Sequence, residues 1–595
     1  MLPFLFAEPV RPIRWTDAIF LTLAISVIRP TPAIVAQSAV RRLPRVALIL
    51  LCAAYVLPGY FGREPWKNAD IAAFGYMLEL AGTPLGSAWL APTIMGMEPE
   101  VDALLPYWLG AWAIKFSPAW LAPDFAARLP FGLMLVLVLV ATWYGIYHLA
   151  RSAGAQPVAF AFGGEAEPSD YARAMADGGV VGLIACLGLA QLSHETTPAL
   201  AQLCFTALTF YGLAAVNRGT ALPLAAVGAG LTGLTLSGGP AVAVLLGTGG
   251  AIYSLLDRDV VTAAGGRGLW RFGVLMLITA LAAALAAVLD LWQWRITPPS
   301  ASGREWRGLG RLFLWFTWPL WPLLLWTLWR WRHQLRELPR NRHLALPLLF
   351  LVVAVGTTLL TPASDRSLLL ALPALATLAA FALPTLDRSV TALIDWFTLL
   401  FFSGFAIVIW VIWVSMETGI PRQPAANVAK LAPGFEPSLQ GPAFAVALAG
   451  TLAWIWLVRW RVGRHRSAIW KSMVLPAGGA TLCWLLLMTL WLPVLDYARS
   501  YAPMVQRIVI LTDRPSCVQV YGLGRGPIAA LRFHGQLDTR PATRKAECPW
   551  LLVDAADAAT LGQSVDSAHW AYQARVRRPT DRTETILLYR RVAAL

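Results

Sequence analysis

The sequence predicts an all-α polytopic membrane protein, with about thirteen transmembrane helices and a small α/β domain at its C-terminal end. The first observation is composition: 57% of the 595 residues are hydrophobic, only 14% are charged, and 28 are tryptophan. The second is chain order, because apolar runs alternate with short basic clusters up to about residue 495. Together they exclude an ordinary soluble enzyme.

Residues 1–43 precede the first predicted span. Glu8, Pro9 and Pro12 stand where a signal peptide would have basic residues, and no small-residue cleavage site follows clearly. The apolar stretch at 18–28 is too short to cross a bilayer. We therefore expect an N-terminal cytoplasmic or interfacial segment.

Residues 44–495 form the predicted membrane domain. We expect a helix at each apolar run, at about 44–60, 128–149, 178–193, 198–216, 220–236, 240–256, 271–290, 312–329, 344–361, 366–385, 393–414, 441–459 and 472–493. The basic clusters between them have the pattern of cytoplasmic loops, so the net charge of +15 reflects topology and predicts no nucleic-acid partner. Placing the clusters inside puts on the outer side Asp70, His194-Glu195, Ser364-Asp365-Arg366, the loops 291–311 and 417–441, and the C-terminal tail.

Two outer regions have their own structure. The first loop, 60–127, contains amphipathic stretches at 71–80 and 103–116, which are typical of helices that lie along the membrane interface. The tail, 496–595, has short strand-like runs and predicts an α/β domain. An outer, oxidising compartment would let its Cys517 and Cys548 pair as a disulfide, although two buried free thiols are the alternative.

The order of motifs along the chain resembles that of a known family. The motifs are Pro65-Trp66-x-x-x-Asp70, Pro106-Tyr107-Trp108-Leu109-Gly110, Ala127-Arg128-Leu129-Pro130, His194-Glu195-Thr196-Thr197, Trp292-Gln293-Trp294, Trp315-Phe316-Thr317-Trp318-Pro319 and Leu370-Ala371-Leu372-Pro373. Over about residues 44–595 the chain is similar to the bacterial membrane glycosyltransferases of the protein mannosyltransferase and aminoarabinose (lipid A) transferase superfamily. The resemblance implies the GT-C fold.

The resemblance also implies an activity. It implies an inverting transferase of the bacterial inner membrane, which moves a sugar from a polyprenyl-phosphate donor to lipid A, another glycan or a protein on the periplasmic side. Asp70 would be the catalytic carboxylate. The chain has Ile71 where the family commonly has a second acid, and Glu98-Pro99-Glu100 lacks the lysine of the aminoarabinose transferases. An aminoarabinose specificity is therefore not predicted.

The residues support this chemistry independently. Phosphate is a good leaving group, so one carboxylate suffices, as a general base or as the electrostatic partner of an oxocarbenium-like centre. The alternative for Asp70 is the N-cap of a helix beginning at Ile71. Guanidinium groups suit phosphate oxygens, and the outer arginines selected as donor-phosphate ligands are Arg63, Arg295 and Arg366, with Arg304 and Arg307 also available. Each could equally pair with a lipid headgroup or a nearby carboxylate.

His194, Glu195 and Glu98 are predicted to orient the acceptor or to hold a divalent metal. Adjacent residues seldom bind one ion together, so hydrogen bonding within the turn is the favoured alternative for His194-Glu195. No other cofactor is expected, and the glycine-rich segment 522–526 predicts a turn rather than a phosphate-binding loop. A monomer among membrane lipids is expected. The rival functions are a transporter or flippase and a non-catalytic envelope assembly protein.

Overall fold

The computed structural model describes residues 31–256, 267–292, 298–299, 302–361, 365–462, 468–581 and 583–592. The predicted interfacial segment at 18–28 and the predicted phosphate ligand Arg295 lie outside these residues. In the first half of the chain the helices are α1 (Arg45–Val56), α2 (Ala69–Gly82), α3 (Leu105–Phe116), α4 (Pro123–Ala150), α5 (Pro168–Ala185), α6 (Leu189–Leu192), α7 (Pro198–Ala215), α8 (Ala221–Leu236), α9 (Pro240–Leu256) and α10 (Arg267–Val288).

The second half continues the bundle and ends in a sheet. Its first helices are α11 (Gly303–Phe316), α12 (Leu320–Arg330), α13 (Arg332–Leu335), α14 (Arg342–Leu360), α15 (Asp365–Leu369), α16 (Leu372–Ala382), α17 (Arg388–Thr418), α18 (Arg422–Leu431), α19 (Gly441–Val462), α20 (Lys471–Leu487) and α21 (Leu492–Arg499). The remaining elements are α22 (Ala502–Thr512), β1 (Cys517–Tyr521), α23 (Arg525–Gly535), β2 (Asp538–Pro541), β3 (Trp550–Asp554), α24 (Leu561–Ser564), β4 (Trp570–Arg577) and β5 (Thr585–Arg591).

The predicted fold class is confirmed, and the helices differ in length. Among the described residues, six helices are long and apolar enough to cross a membrane: α4, α7, α10, α14, α17 and α19. Two bent pairs, α11 with α12 (86°) and α20 with α21 (69°), raise the number to eight. Other predicted spans coincide with shorter helices; α1 has 12 residues, or about 18 Å, less than a hydrocarbon core of about 30 Å. Fewer helices than the predicted thirteen therefore span by length alone.

The centre of the bundle is packed around α4, α5, α7 and α16, in which α4 and α16 each contact the other three helices. Side chains such as Phe131, Phe210 and Phe381 are fully buried there. Where α7 meets α8, a Cβ on Gly212 would lie 2.7 Å from the carbonyl oxygen of Pro223. Only glycine permits that approach, as in other membrane helix pairs. This tightly packed centre supports the loops that form the candidate site.

The C-terminal domain is an α/β unit, as predicted. Its five-stranded sheet has the order β2-β1-β3-β5-β4, in which β1 is parallel to β2 and β3, and β5 is antiparallel to β3 and β4. A disulfide joins Cys517 in β1 to Cys548 before β3. Helices α22 and α23 pack against each other and cover the sheet towards the membrane domain.

The C-terminal domain is seated on the loop 60–127, which follows α1. Helix α23 packs on α2 so closely that a Cβ on Gly75 would lie 2.5 Å from Cβ of Ala529. The buried Arg578 donates from Nη1 to the carbonyl oxygen of Ala498 (2.5 Å) and from Nη2 to Asp581 (2.7 Å). Asp581 in turn pairs with Lys67 at 3.1 Å. These contacts hold the sheet domain beside the residues that follow α1.

Candidate active site

Asp70 lies in the first turn of α2 and both of its carboxylate oxygens are occupied. Oδ2 accepts from Arg63 Nη2 (2.8 Å) and from the Trp66 backbone N–H (3.1 Å). Oδ1 accepts from the Thr196 backbone N–H (2.8 Å) and hydroxyl (2.9 Å). The helix begins at Ala69, with Asn68 as its N-cap residue, so Asp70 is not the N-cap. The side chain instead joins the loop 60–127 to the turn before α7.

The Asp70 carboxylate is buried and charged. It is 1% exposed, and burial alone would raise its pKa, but the guanidinium groups of Arg63 and Arg128 and the backbone donors outweigh burial and lower the pKa below its ordinary value of 3.8. Arg63 is also 1% exposed and donates from Nη2 to the His194 carbonyl oxygen at 2.7 Å. Asp70 is thus a fixed negative charge at neutral pH rather than a ready proton acceptor.

The Trp66 side chain extends this cluster towards the C-terminal domain. Its ring lies between two guanidinium groups, with Arg63 at 4.7 Å and Arg499 at 5.0 Å from the ring centroid. Its indole N–H donates to Asp496 Oδ1 at 2.7 Å. Asp496 and Arg499 were missed in the sequence because they follow the last apolar run, where a solvated acid and base are ordinary.

His194 is buried in a cage of rings formed by Tyr55, Tyr60 and Trp484. Its Nδ1 lies 2.6 Å from the Ala190 carbonyl oxygen, and its Nε2 lies 3.1 Å from the Val56 carbonyl oxygen. These contacts tie the turn before α7 to the end of α1. The contacts of His194 are therefore those of a residue that stabilises the fold.

Burial lowers the pKa of His194 to about 4, from an ordinary 6.5. Between these values the unfolded chain binds a proton that the folded protein does not, so stability falls as pH falls. The loss amounts to about 2 kcal/mol at pH 5. We expect His194→Gln to lack this part of the acid destabilisation when unfolding is followed in detergent at pH 7.5 and pH 5. If wild type and variant lose the same unfolding free energy between pH 7.5 and pH 5, the prediction is contradicted.

Glu195 connects the same turn to α15. Its Oε2 pairs with Arg366 Nη2 at 2.8 Å, and its Oε1 accepts from Gln191 at 3.2 Å. Burial raises the pKa of Glu195 above its ordinary value, although Arg366 opposes this effect. Of Asp70 and Glu195, Glu195 is therefore the one closer to accepting a proton at neutral pH.

A cavity of about 760 Å³ lies in front of these groups, and we call it the outer cavity because it is at the end of the bundle that the sequence predicts to face outward. Its wall comprises the N-terminal end of α2, the loop 100–102, the ends of α7, α9 and α14, the start of α15, and the turn before α23. Arg366, Arg525 and Tyr501 line it, together with the acids Glu100 and Asp102. The lining does not include Asp70, Arg63, His194, Glu195 or Glu98.

The predicted site residues therefore divide into two groups. Arg366 is 35% exposed and faces the outer cavity, whereas Arg63 and Asp70 lie behind its wall, adjacent to the lining residues Asn68 and Ala69.

Glu98 is exposed, and its backbone carbonyl oxygen accepts a hydrogen bond from Arg525 Nε at 2.6 Å. Within the described part of the chain, no group of three or more His, Cys, Asp or Glu side chains is placed to hold a metal ion.

The glycine-rich segment 522–526 was read too narrowly in the sequence. Residues 522–524 connect β1 to α23, which begins within the segment at Arg525, and residues 524–527 line the outer cavity. Pro527 was the available signal, because proline favours the first turn of a helix. Only the seating of the C-terminal domain brings this turn to the cavity.

Comparison with known proteins agrees with this architecture. The chain is similar to the crystal structure of ArnT from Cupriavidus metallidurans bound to undecaprenyl phosphate, with a TM-score of 0.54 and 15% identity, covering 93% of this chain and 99% of that one. The apo structure of the same protein gives 0.54 and 15%, covering 92% and 98%. No protein-family model matches the sequence, and no curated protein matches it. The motif-based resemblance is confirmed for the fold: this chain has the fold of ArnT, which is the GT-C fold that the resemblance implies.

Proposed function

We propose that this protein is a membrane glycosyltransferase that moves a sugar from a polyprenyl-phosphate donor to an acceptor in the outer cavity. The observation that carries the proposal is the ArnT fold over 93% of the chain. A cavity of about 760 Å³ lies beside the buried residues Asp70, Arg63 and Trp66, which we call the Asp70 cluster. The ArnT structure is bound to undecaprenyl phosphate. A lipid-linked donor of the same class suits a cavity between membrane helices and an outer domain.

Asp70 acts in this proposal as a fixed anion. Its four hydrogen bonds hold the start of α2 and the Thr196–Thr197 turn in place, and both of these line or adjoin the cavity. A permanent negative charge behind the wall stabilises an oxocarbenium-like centre in front of it, because charge interactions are strong where water is excluded. Of the two roles that the sequence left open, this favours electrostatic stabilisation over proton removal.

Arg366 binds the donor phosphate in the proposed reaction. Its guanidinium lines the cavity and is oriented by Glu195 at 2.8 Å, which leaves other N–H groups for phosphate oxygens. Arg63 does not line the cavity and does not contact the lipid; its role is to hold Asp70 in place. Glu195 is a positioning residue for Arg366. Its raised pKa makes it a readier proton acceptor than Asp70, although neither carboxylate lines the cavity.

The remaining parts of the proposal follow the predicted topology. The membrane domain of residues 44–495 lies in a bacterial inner membrane, and the domain of residues 496–595 lies on the periplasmic side with the outer cavity. Inversion at the anomeric carbon follows from direct displacement with a single acid–base group. The acceptor is lipid A, another envelope glycan or a protein, and the protein acts as a monomer.

Lipid mass spectrometry tests the proposal. Cells lacking the protein are complemented with wild type, Asp70→Asn or Asp538→Asn, the last being an exposed aspartate paired with Arg540 at 2.9 Å. We expect a glycosylated polyprenyl phosphate to accumulate in the null strain and with Asp70→Asn, and to clear with wild type and Asp538→Asn. The amount of each variant in the membrane is measured in parallel.

The outcomes separate the two parts of the proposal. Clearance by Asp70→Asn as efficient as by wild type would remove Asp70 from the mechanism without affecting the transferase function. No change of any carrier lipid in the null strain would refute the transferase and favour the transport or assembly alternatives.

A further inference from the structure

A second cavity, of about 810 Å³, lies at the opposite end of the bundle. Helix α20 connects the two ends: Lys471 at its start lines the second cavity, and after its 17 residues α21 brings Asp496 to Trp66 in the Asp70 cluster. At 1.5 Å per residue, the 17 residues of α20 separate the two cavities by about 25 Å. The second cavity is therefore distinct from the proposed reaction site.

The second cavity is positively charged. Three cationic side chains line it, Arg388, Arg461 and Lys471, against one carboxylate, Asp395. Asp395 Oδ2 pairs with Arg461 Nη2 at 2.6 Å. Among the described lining residues the charge therefore sums to about two positive units, which is complementary to an anion. Arg388 is the first residue of α17 and is exposed to solvent.

The inner wall of the second cavity is apolar. Leu399 of α17, Val458 of α19 and Leu475 of α20 line it beneath the charged residues. Trp396, also in the lining, is 64% exposed on the outside of α17. A tryptophan at the level of basic side chains is typical of the membrane–water interface. The cavity therefore offers a cationic mouth at headgroup level and an apolar interior at acyl-chain level.

We propose that the second cavity binds an anionic phospholipid from the adjacent leaflet. The phosphate lies among Arg388, Arg461 and Lys471, and one acyl chain follows Leu399 and Leu475 into the bundle. Charge complementarity selects an anionic headgroup over a zwitterionic one, because each basic residue near a membrane surface attracts anionic lipid. The proposal is independent of the transferase function, since the site lies about 25 Å from the Asp70 cluster by the length of α20.

Native mass spectrometry of the purified full-length protein tests this site. The protein is titrated in detergent with phosphatidylglycerol or phosphatidylethanolamine, for wild type, Arg388→Gln and Trp396→Ala. Arg422→Gln is the matched control, because Arg422 is likewise an exposed first residue of a helix, α18. We expect wild type to retain phosphatidylglycerol preferentially and Arg388→Gln to retain it about fivefold less, the effect of one basic residue. Retention of phosphatidylethanolamine should not change.

Several results would overturn the proposal. Equal retention of the two lipids by wild type would exclude selection by charge. A loss in Arg422→Gln as large as in Arg388→Gln would show a general surface effect. Inorganic phosphate that displaces the lipid at equal concentration would identify a soluble-anion site instead. Lys471→Gln removes a buried cation and is a second test if its unfolding temperature matches that of wild type. If the variant is less stable, the result for the exposed Arg388→Gln decides the proposal.

Discussion

Replacing Asp70 by alanine is expected to destabilise the protein by about 3–5 kcal/mol, the usual effect of removing one partner of a buried ion pair. Arg63 would remain buried, at 1% exposure, with only the His194 carbonyl oxygen as a partner of Nη2. The hydroxyl and backbone N–H of Thr196 would also lose their acceptor. Thermal unfolding of the purified protein in detergent measures the effect.

The matched control is Glu337→Gln. Glu337 pairs with Arg340 at the same 2.8 Å, but both side chains are about half exposed, so less than about 1 kcal/mol is expected. The double variant Arg63→Gln with Asp70→Asn should recover part of the stability lost in Asp70→Ala, because no charge is then left uncompensated. A loss in Asp70→Ala no larger than in Glu337→Gln would show that the buried pair is not a stability determinant.

The pH dependence of the Asp70 effect has a definite sign. Because its pKa is lowered in the folded protein below the ordinary 3.8, its stabilisation is fully present above that value and is lost only as pH falls below it. The difference in unfolding free energy between wild type and Asp70→Asn should therefore be the same at pH 7.5 and pH 5. This separates Asp70 from His194, whose contribution changes within that interval.

Replacing Arg366 by glutamine is expected to weaken binding of undecaprenyl phosphate about 30-fold. Hydrogen bonds to a charged group contribute about 1.5–3 kcal/mol, and the guanidinium is the cavity cation that Glu195 orients at 2.8 Å. Arg366→Lys keeps the charge but lacks the fork geometry, so an intermediate loss is expected. Titration of the purified protein with undecaprenyl phosphate, followed by tryptophan fluorescence, measures the dissociation constant.

Arg304→Gln is the control for Arg366. Arg304 is another outer arginine that the sequence offers for phosphate binding, but it is exposed on α11 and does not line the outer cavity. Its substitution should leave the dissociation constant unchanged. A dissociation constant for Arg366→Gln equal to that of wild type would exclude Arg366 as the phosphate ligand and leave Arg525 as the other arginine that lines the cavity.

Much of the fold was predictable because it depends on local properties of the chain. Apolar runs separated by basic clusters predict a helical membrane protein wherever they occur, and period-two runs such as 517–521 predict strands. Helix lengths were less predictable: Trp315 to Pro319 reads as part of one apolar run, but the chain there is bent by 86° between α11 and α12. Hydropathy reports how apolar a segment is, not whether its axis stays straight.

The sequence by itself determined the membrane class and the C-terminal α/β domain, since these follow from composition and period. Motif order also selected the Pro65–Asp70 segment as the candidate site. Only the tertiary structure decided that Asp70 and Arg63 are buried together while Arg366 faces the cavity. It also placed Asp496 on Trp66, 430 residues away in sequence, and the turn before α23 in the cavity wall. The physical reason is that burial and charge pairing depend on which distant segments pack together, and no local pattern encodes that convergence.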